Sequence, residues 1–319
     1  MQREAPCPRT LQEAILYFSD RETCVQFMVG IRWNDGVICP HCESKNVGKM
    51  SPARCVWNCK GCKKQFSVKV GTIFEDSPLP LEKWLPALWL ISNAKNGISS
   101  YEIHRAIGVT QKTAWFMLHR IRVAMETGSF EKMKGQVEAD ETFIGGKAKN
   151  MHADKRRTKV RGRGAVGKTV VMGLLERHDK EAEKPSKVKA SVVPSRKRRH
   201  VSGEVRDHVQ PGSQVFTDAL LSYADLSKDY AHEFIDHAEK YVEGQVHTNG
   251  LENFWSLLKR SIKGTYVSVD PAHLKSYLDE QVFRFNERGG KDGDRFLLTL
   301  TQVEGRRLTY KKLIGVQVG

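Results

Sequence analysis

Val137-Glu138-Ala139-Asp140-Glu141-Thr142-Phe143-Ile144, closed by Gly145-Gly146, is the stretch on which the fold turns. It mixes β-branched, aromatic and apolar residues as a strand does, and the paired glycines mark a turn. Working outward, Thr169-Val170-Val171-Met172-Gly173-Leu174-Leu175 predicts a second strand, and Val188 to Val193 a third. A helix is expected across Val201 to Val209, then a fourth strand, Ser213 to Asp218, ending on an acid. His232-Glu233-Phe234-Ile235 reads as a short fifth strand, and Asn249 to Ile262 as a helix.

Three strands, a helix and then further strand–helix alternation resemble the order of a ribonuclease-H-like α/β fold. In that fold the first and fourth strands are neighbours, so Asp140 and Asp218 are expected close together although 78 positions apart. The helix from Asn249 carries two stripes. Leu251, Trp255, Leu258 and Ile262 are apolar; Asn249, Glu252, Ser256 and Lys259 are polar. With the apolar stripe on the sheet, Glu252 is aimed along the sheet edge towards the aspartates. Phosphodiester cleavage uses two divalent ions to activate the attacking oxygen and stabilise the leaving one. Mg²⁺ (or Mn²⁺) prefers carboxylate oxygen, which makes Asp140, Asp218 and Glu252 a candidate ligand set. Lys259, two turns beyond Glu252, is placed to reach a phosphate. A strand-end Asp or a helical Glu is usually just solvated; order and spacing single these out. Glu141 is set aside, because alternation turns it to the other face.

Upstream, five of the seven cysteines fall between residues 39 and 62. Cys39-Pro40-His41-Cys42, sixteen residues, then Cys59-Lys60-Gly61-Cys62 are two CxxC knuckles, the spacing of a closed tetrahedral Zn²⁺ site in a zinc ribbon. Arg54 to Asn58 and Phe66, Val68 and Val70 are expected on flanking strands. His41 and Cys55 fit less well as ligands, and Cys7 and Cys24 read as ordinary thiols. From Leu81 to Met125 the pattern is helical. Ser99 or Ser100 is placed to cap one helix, Gly108-Val109-Thr110 forms a turn, and Thr110 can cap the next. That is helix-turn-helix grammar, which sets Gln111, Lys112 and Thr113 against DNA; a plain helical hairpin is the bland alternative.

The chain has 319 residues with 52 Lys plus Arg against 37 Asp plus Glu, a formal net charge of +15. Such an excess favours a polyanionic partner, here double-stranded DNA. No apolar run approaches the ~20 residues of a membrane span, and the first residues lack the apolar core of a secretory leader; neither a membrane nor a small-molecule substrate is expected. The tract from Lys147 to Arg163 holds eight basic residues, including Arg156, Arg157, Arg161 and Arg163, and Arg196-Lys197-Arg198-Arg199 is a second run. Both are read as phosphate contacts. Gly162 to Thr169 fits the Walker A pattern, but a basic tract precedes it and a β-branched run follows, which is not the strand–loop–helix context of a nucleotide site.

The string His247-Thr248-Asn249-Gly250-Leu251-Glu252-Asn253-Phe254-Trp255-Ser256-Leu257-Leu258-Lys259-Arg260, with Gly264-Thr265-Tyr266 after it, resembles bacterial insertion-sequence transposases that carry an ISXO-two-like DDE domain behind a zinc ribbon. Glu138 to Gly146, Tyr277-Leu278-Asp279-Glu280, Phe283-Arg284-Phe285-Asn286, Phe18-Ser19-Asp20 and Trp33 to Cys42 carry the same likeness. The resemblance spans roughly residues 12–300. It implies DNA cleavage and strand transfer at element ends, with Asp140 and Asp218 as the first two acids. Family members carry an Asn in the triad and a downstream Lys; Glu252 is taken as the ligand and Asn249 as assisting, because a carboxylate binds Mg²⁺ better than an amide. The resulting expectation is a helical lead and ribbon (1–75), a helix-turn-helix-like module (76–130), a ribonuclease-H-like DDE domain (134–290) and a C-terminal tail (291–319). A dimer or larger assembly on DNA, in the bacterial cytoplasm, goes with it. The competing reading is a non-enzymatic DNA-binding regulator, which would have no use for the three acids.

Overall fold

The computed structural model describes residues 7–51, 55–126, 131–146, 167–178, 184–218, 221–235 and 247–315. The chain forms two compact units, Met1–Glu126 with Gly289–Gly319, and Thr127–Arg288.

In the first unit, α1 (Leu11–Tyr17) and α2 (Arg21–Arg32) begin on side-chain caps from Thr10 and Asp20. A three-stranded antiparallel sheet follows, β1 (Val47–Ser51), β2 (Val56–Cys59) and β3 (Gln65–Ser67). The strand expected through Val70 stops at Ser67, where the Val70 N–H turns back to the Ser67 carbonyl at 3.1 Å. Trp33, Trp57 and Phe66 pack on this sheet with ring centroids 6.1–6.3 Å apart.

Helices α3 (Leu81–Asn93), α4 (Ser100–Ile107) and α5 (Gln111–Met125) come next. Ser99 and Glu102 form a reciprocal capping box on α4, which ends on Gly108 at φ +63°, and Thr110 caps α5. Only glycine adopts that left-handed angle without a Cβ penalty, so the short link between the helices depends on it.

The stretch 291–319, expected as a tail, falls in this unit and, among its described residues, carries the helices Asp292–Thr301 and Tyr310–Leu313. The one beginning at Asp292 places Phe296 against Phe18 and Trp89, at 5.5 and 5.1 Å between ring centroids. The hydroxyls of Ser92 and Thr299 pair at 3.1 Å.

The second unit is a five-stranded mixed sheet in the order β6-β5-β4-β7-β8. Its strands are β4 (Gln136–Ile144), β5 (Thr169–Glu176), β6 (Lys187–Val193), β7 (Gln214–Asp218) and β8 (Ala231–Ile235). β4, β5 and β6 pair antiparallel, while β7 runs parallel to both β4 and β8. The helices are α6 (Arg198–His208), α7 (Asn249–Arg260) and α8 (Leu274–Asn286) here, with α9 (Asp292–Thr301) and α10 (Tyr310–Leu313) in the first unit.

Alternation along the central strands divides two cores. Val137, Ala139, Met172, Leu174 and Val215 pack with Val201 and Val205 of α6. Val171 and Leu175 pack with Leu251, Phe254, Trp255 and Leu258 of α7 and with Leu278 of α8. The helix expected to Ile262 is α-helical only to Arg260 and continues as a π turn, Ser261–Tyr266. Asn286, at the end of α8, docks that helix on the edge strand: its Oδ1 accepts from the Val188 N–H at 2.7 Å and its Nδ2 donates to the Val188 carbonyl at 2.9 Å.

Candidate functional site

The four expected cysteines converge. Their Sγ atoms all lie within 4.8 Å of one another, with Cys39–Cys62 at 3.7 Å and Cys42–Cys59 at 3.6 Å. A tetrahedron with Zn–S bonds of about 2.3 Å has S···S edges of about 3.8 Å. The two knuckles are built alike: the residue four beyond the first cysteine of each, Glu43 and Lys63, turns left-handed and donates its N–H to the carbonyl of Cys39 or Cys59 at 2.9 Å. Backbone N–H groups also point at sulfur, from His41 to Cys39 and from Cys62 to Cys59, each at 3.5 Å. The Cys62 N–H is the main reason the Cys59 thiol is lowered to about 6. Four soft donors in a closed shell suit Zn²⁺ in a structural role. His41 and Cys55 are not in the cluster; the Cys55 thiol donates instead to Glu22 Oε2 at 3.3 Å.

The acids lie on the second unit's sheet. β4 and β7 pair in parallel through Gln136↔Gln214, Val137↔Val215 and Glu138↔Phe216. Continued two residues, this register sets Asp140, in the middle of β4, opposite Asp218, the last residue of β7, with Glu138, Asp140, Phe216 and Asp218 on one face. Burial pushes the Asp140 carboxyl up to about 7, opposed by a hydrogen bond from Trp255, with Glu141 and Asp218 repelling its charged form. Trp255 Nε1 donates to Asp140 Oδ2 at 2.8 Å.

Glu141 faces the other way, as alternation requires. It is raised by burial, accepts from the Tyr223 hydroxyl at 2.8 Å and pairs with Arg196 at 3.4 Å. Arg196, from the second basic run, also lies 5.0 Å over the Phe143 ring.

Asn249 and Glu252 are exposed on the first turn of α7, and Lys259 is half-buried near its end. Among the described residues, Asp140, Asp218 and Glu252 do not form a cluster of the tightness of the four cysteines.

Two side chains that sequence reading passed over tie this region together. Glu138, 1% exposed, accepts from Arg177 Nε at 2.8 Å and from the Leu251 N–H at 3.0 Å, at the start of α7. Arg177 donates to the His247 carbonyl at 2.6 Å, lies 3.0 Å from His247 Nδ1 and stacks 4.1 Å over the Phe216 ring. One ion pair thus links β4, the end of β5, β7 and the entry to α7. The available signal was Glu138 two residues before Asp140, hence on the same strand face.

In the first unit the expected DNA-contacting residues divide. Lys112 is exposed, with its ammonium 5.2 Å over the Tyr310 ring. Gln111 Nε2 donates to Ser100 Oγ at 2.8 Å, and the Thr113 N–H donates to Thr110 Oγ1 at 3.2 Å. Arg156, Arg157, Arg161 and Arg163 lie outside the described residues. So does most of the Walker-like string; its end, Thr169, opens a strand where a nucleotide loop would open a helix. Among the described residues no helix is long and apolar enough to cross a membrane.

Known proteins carry the same parts. Residues 132–286 match the ISXO2-like transposase domain, and residues 19–65 match the transposase zinc-ribbon domain. An uncharacterized protein in the transposable element ISH50 of Halobacterium salinarum is 29% identical over 298 residues, which is 88% of this chain and 97% of that protein. An uncharacterized transposase-like protein of Haemophilus influenzae is 33% identical over 101 residues, 31% of this chain and 81% of that one. With a four-cysteine ribbon ahead of a mixed sheet that carries the paired aspartates, the chain belongs to the family of transposases with an ISXO2-like transposase domain.

Proposed function

We propose that this transposase binds the ends of its element and carries out metal-dependent DNA cleavage and strand transfer with a ribonuclease-H-like DDE domain. The observation that carries the reading is the parallel β4–β7 register, which, continued two residues, puts Asp140 and Asp218 side by side on one face of two neighbouring central strands far apart in the chain. The sheet order and the mixture of parallel and antiparallel pairs are those expected of that fold.

Asp140 and Asp218 are the first two acidic ligands; Glu252, on the exposed face of α7, is the third, with Asn249 beside it. Hard carboxylate donors and a burial-raised Asp140 facing a second acid fit a divalent cation, which relieves the repulsion between them. When bound, Mg²⁺ or Mn²⁺ supplies activation of the attacking oxygen and stabilisation of the leaving one. Asp140 and Asp218 would hold the divalent cation from the strand side, and Lys259 contributes positive charge to a strand lying along α7.

Helices α4 and α5 are the helix-turn-helix element of end recognition, with Lys112 at its exposed tip. The basic tract that includes Arg156, Arg157, Arg161 and Arg163 adds sequence-independent phosphate contacts. Joining requires two ends at once, so the active species is a dimer or larger assembly on DNA in the cytoplasm.

The test incubates the protein with Mg²⁺ and labelled DNA carrying the element's own inverted repeats. Asp140→Ala, Asp218→Ala and Glu252→Ala are each expected to abolish strand cleavage and leave end binding intact. Cleavage at the wild-type rate by Asp140→Ala or Asp218→Ala refutes the catalytic reading and leaves a DNA-binding regulator. Asn249→Ala against Glu252→Ala decides which side chain completes the triad.

A further inference from the structure

We infer that Trp255 is a positioning residue for the Asp140 carboxylate, and that Gly173 is the socket that lets it reach. The inference rests on the reading of Asp140 as a metal ligand.

Three observations converge. The indole Nε1 donates to Asp140 Oδ2 at 2.8 Å, which fixes the orientation of the carboxylate. Trp255 is 4% exposed and packed in the core between sheet and α7, so its N–H cannot wander. Gly173 is the cross-strand partner of Asp140. A Cβ there would sit 2.6 Å from Trp255 Cζ2 and 2.7 Å from Cη2, closer than real Cβ contacts come. Any other residue on β5 at this register would push the indole off the carboxylate.

The glycine is therefore explained by its neighbour. Its φ is not left-handed, and a β-branched or apolar residue would suit a central strand better. Its absence of a side chain serves the approach of the six-membered ring. Carboxylates that bind metals are commonly fixed by such outer hydrogen bonds, whose loss costs about 10–100-fold in metal affinity or activity.

The test uses the full-length protein with Mn²⁺ as probe, free Mn²⁺ being read by electron paramagnetic resonance and folding by thermal melting. Trp255→Phe keeps an aromatic ring and removes the N–H; Mn²⁺ uptake should weaken about 10–100-fold. Replacing Trp255 with β-(3-benzothienyl)alanine, which keeps the bicyclic shape and lacks the N–H, should do the same with the melting temperature unchanged. Gly173→Ala alone should weaken Mn²⁺ uptake and lower the melting temperature. Added to Trp255→Phe, it should cost less stability than it does alone, because the clashing ring atoms are gone and only Leu251 Cδ2, at 3.0 Å, must give, yet Mn²⁺ uptake should not recover. A purely structural Trp255 would move melting and metal uptake together.

Wild-type Mn²⁺ affinity in the benzothienyl variant, or recovery of uptake in the Trp255→Phe/Gly173→Ala protein, overturns the inference. Asp140→Asn separates this from the underlying reading. If Asp140→Asn binds Mn²⁺ like the wild type, or the wild type takes up none, the metal assignment itself fails. If Asp140→Asn loses uptake and the Trp255 variants keep it, only the positioning role fails.

Discussion

Replacing Arg177 with Met should destabilise the second unit by about 3–5 kcal/mol, the usual cost of leaving one member of a buried ion pair without its partner. The site supports the full figure. The side chains of Glu138 and Arg177 are 2% and 13% exposed, and the guanidinium also serves the His247 carbonyl and the Phe216 ring. For a unit of this size each kcal/mol lowers the melting temperature by about 2–4 °C, so the expected drop is about 6–20 °C. Glu138→Leu should cost a similar amount. The double replacement Glu138→Leu/Arg177→Met should be more stable than either single one, because an apolar pair of similar volume needs no charge compensation. It should still fall about 1–3 kcal/mol short of the wild type, since the Leu251 N–H then loses its acceptor. Calorimetry gives the totals, and hydrogen exchange at the β4 and β5 amides assigns the loss to this unit. Additive losses in the double variant, or single losses below about 1 kcal/mol, would refute the reasoning.

Metal analysis should find one zinc per chain; Cys39→Ser or Cys59→Ser should abolish it, and chelation should open the β1–β3 amides to exchange. Gly250→Ala should cost about 1–3 kcal/mol by overpacking, because its Cβ would lie 2.9 Å from both Glu138 Oε2 and Leu175 Cδ1, and a denaturant midpoint reads this directly. In metal-free protein the burial-raised Asp140 carboxyl, at about 7, holds its proton more tightly folded than unfolded. Its contribution is complete below about pH 4 and is lost as pH climbs through about 7, so stability should fall across that window, and Asp140→Asn should flatten the fall. Ser99→Ala should lower stability of the first unit by about 0.5–2 kcal/mol in urea unfolding, through loss of the capping box.

The strands of the second unit were legible because Thr169 to Leu175 and Ser213 to Asp218 are the apolar runs of strands buried on both faces. Cysteine spacing located the ribbon knuckles, and Ser99, Gly108 and Thr110 marked the ends of α4 and α5 because caps are local chemistry. Glu138 and Arg177 were not legible: they are 39 positions apart, and a charged residue on a strand gives no local sign that it is buried with a partner. The Trp255 contact was hidden for the same reason, since its meaning depends on a glycine across the sheet. The helix at Asp292–Thr301 did carry a signal, with acids in its first turn and Phe296 and Leu300 four apart. The π turn after Arg260 depends on packing and has no sequence signature.

The placement of Phe296 among Phe18 and Trp89 has a consequence for how the polypeptide is born. The ribosome releases residues 1–126 long before it reaches residue 296, and all of Thr127–Arg288 emerges in between. At about 5–20 residues per second the earlier-made part waits roughly 10–30 s for the Phe296 ring. The part synthesised first is thus the one completed last, and the inserted unit has time to finish folding while its host is still open.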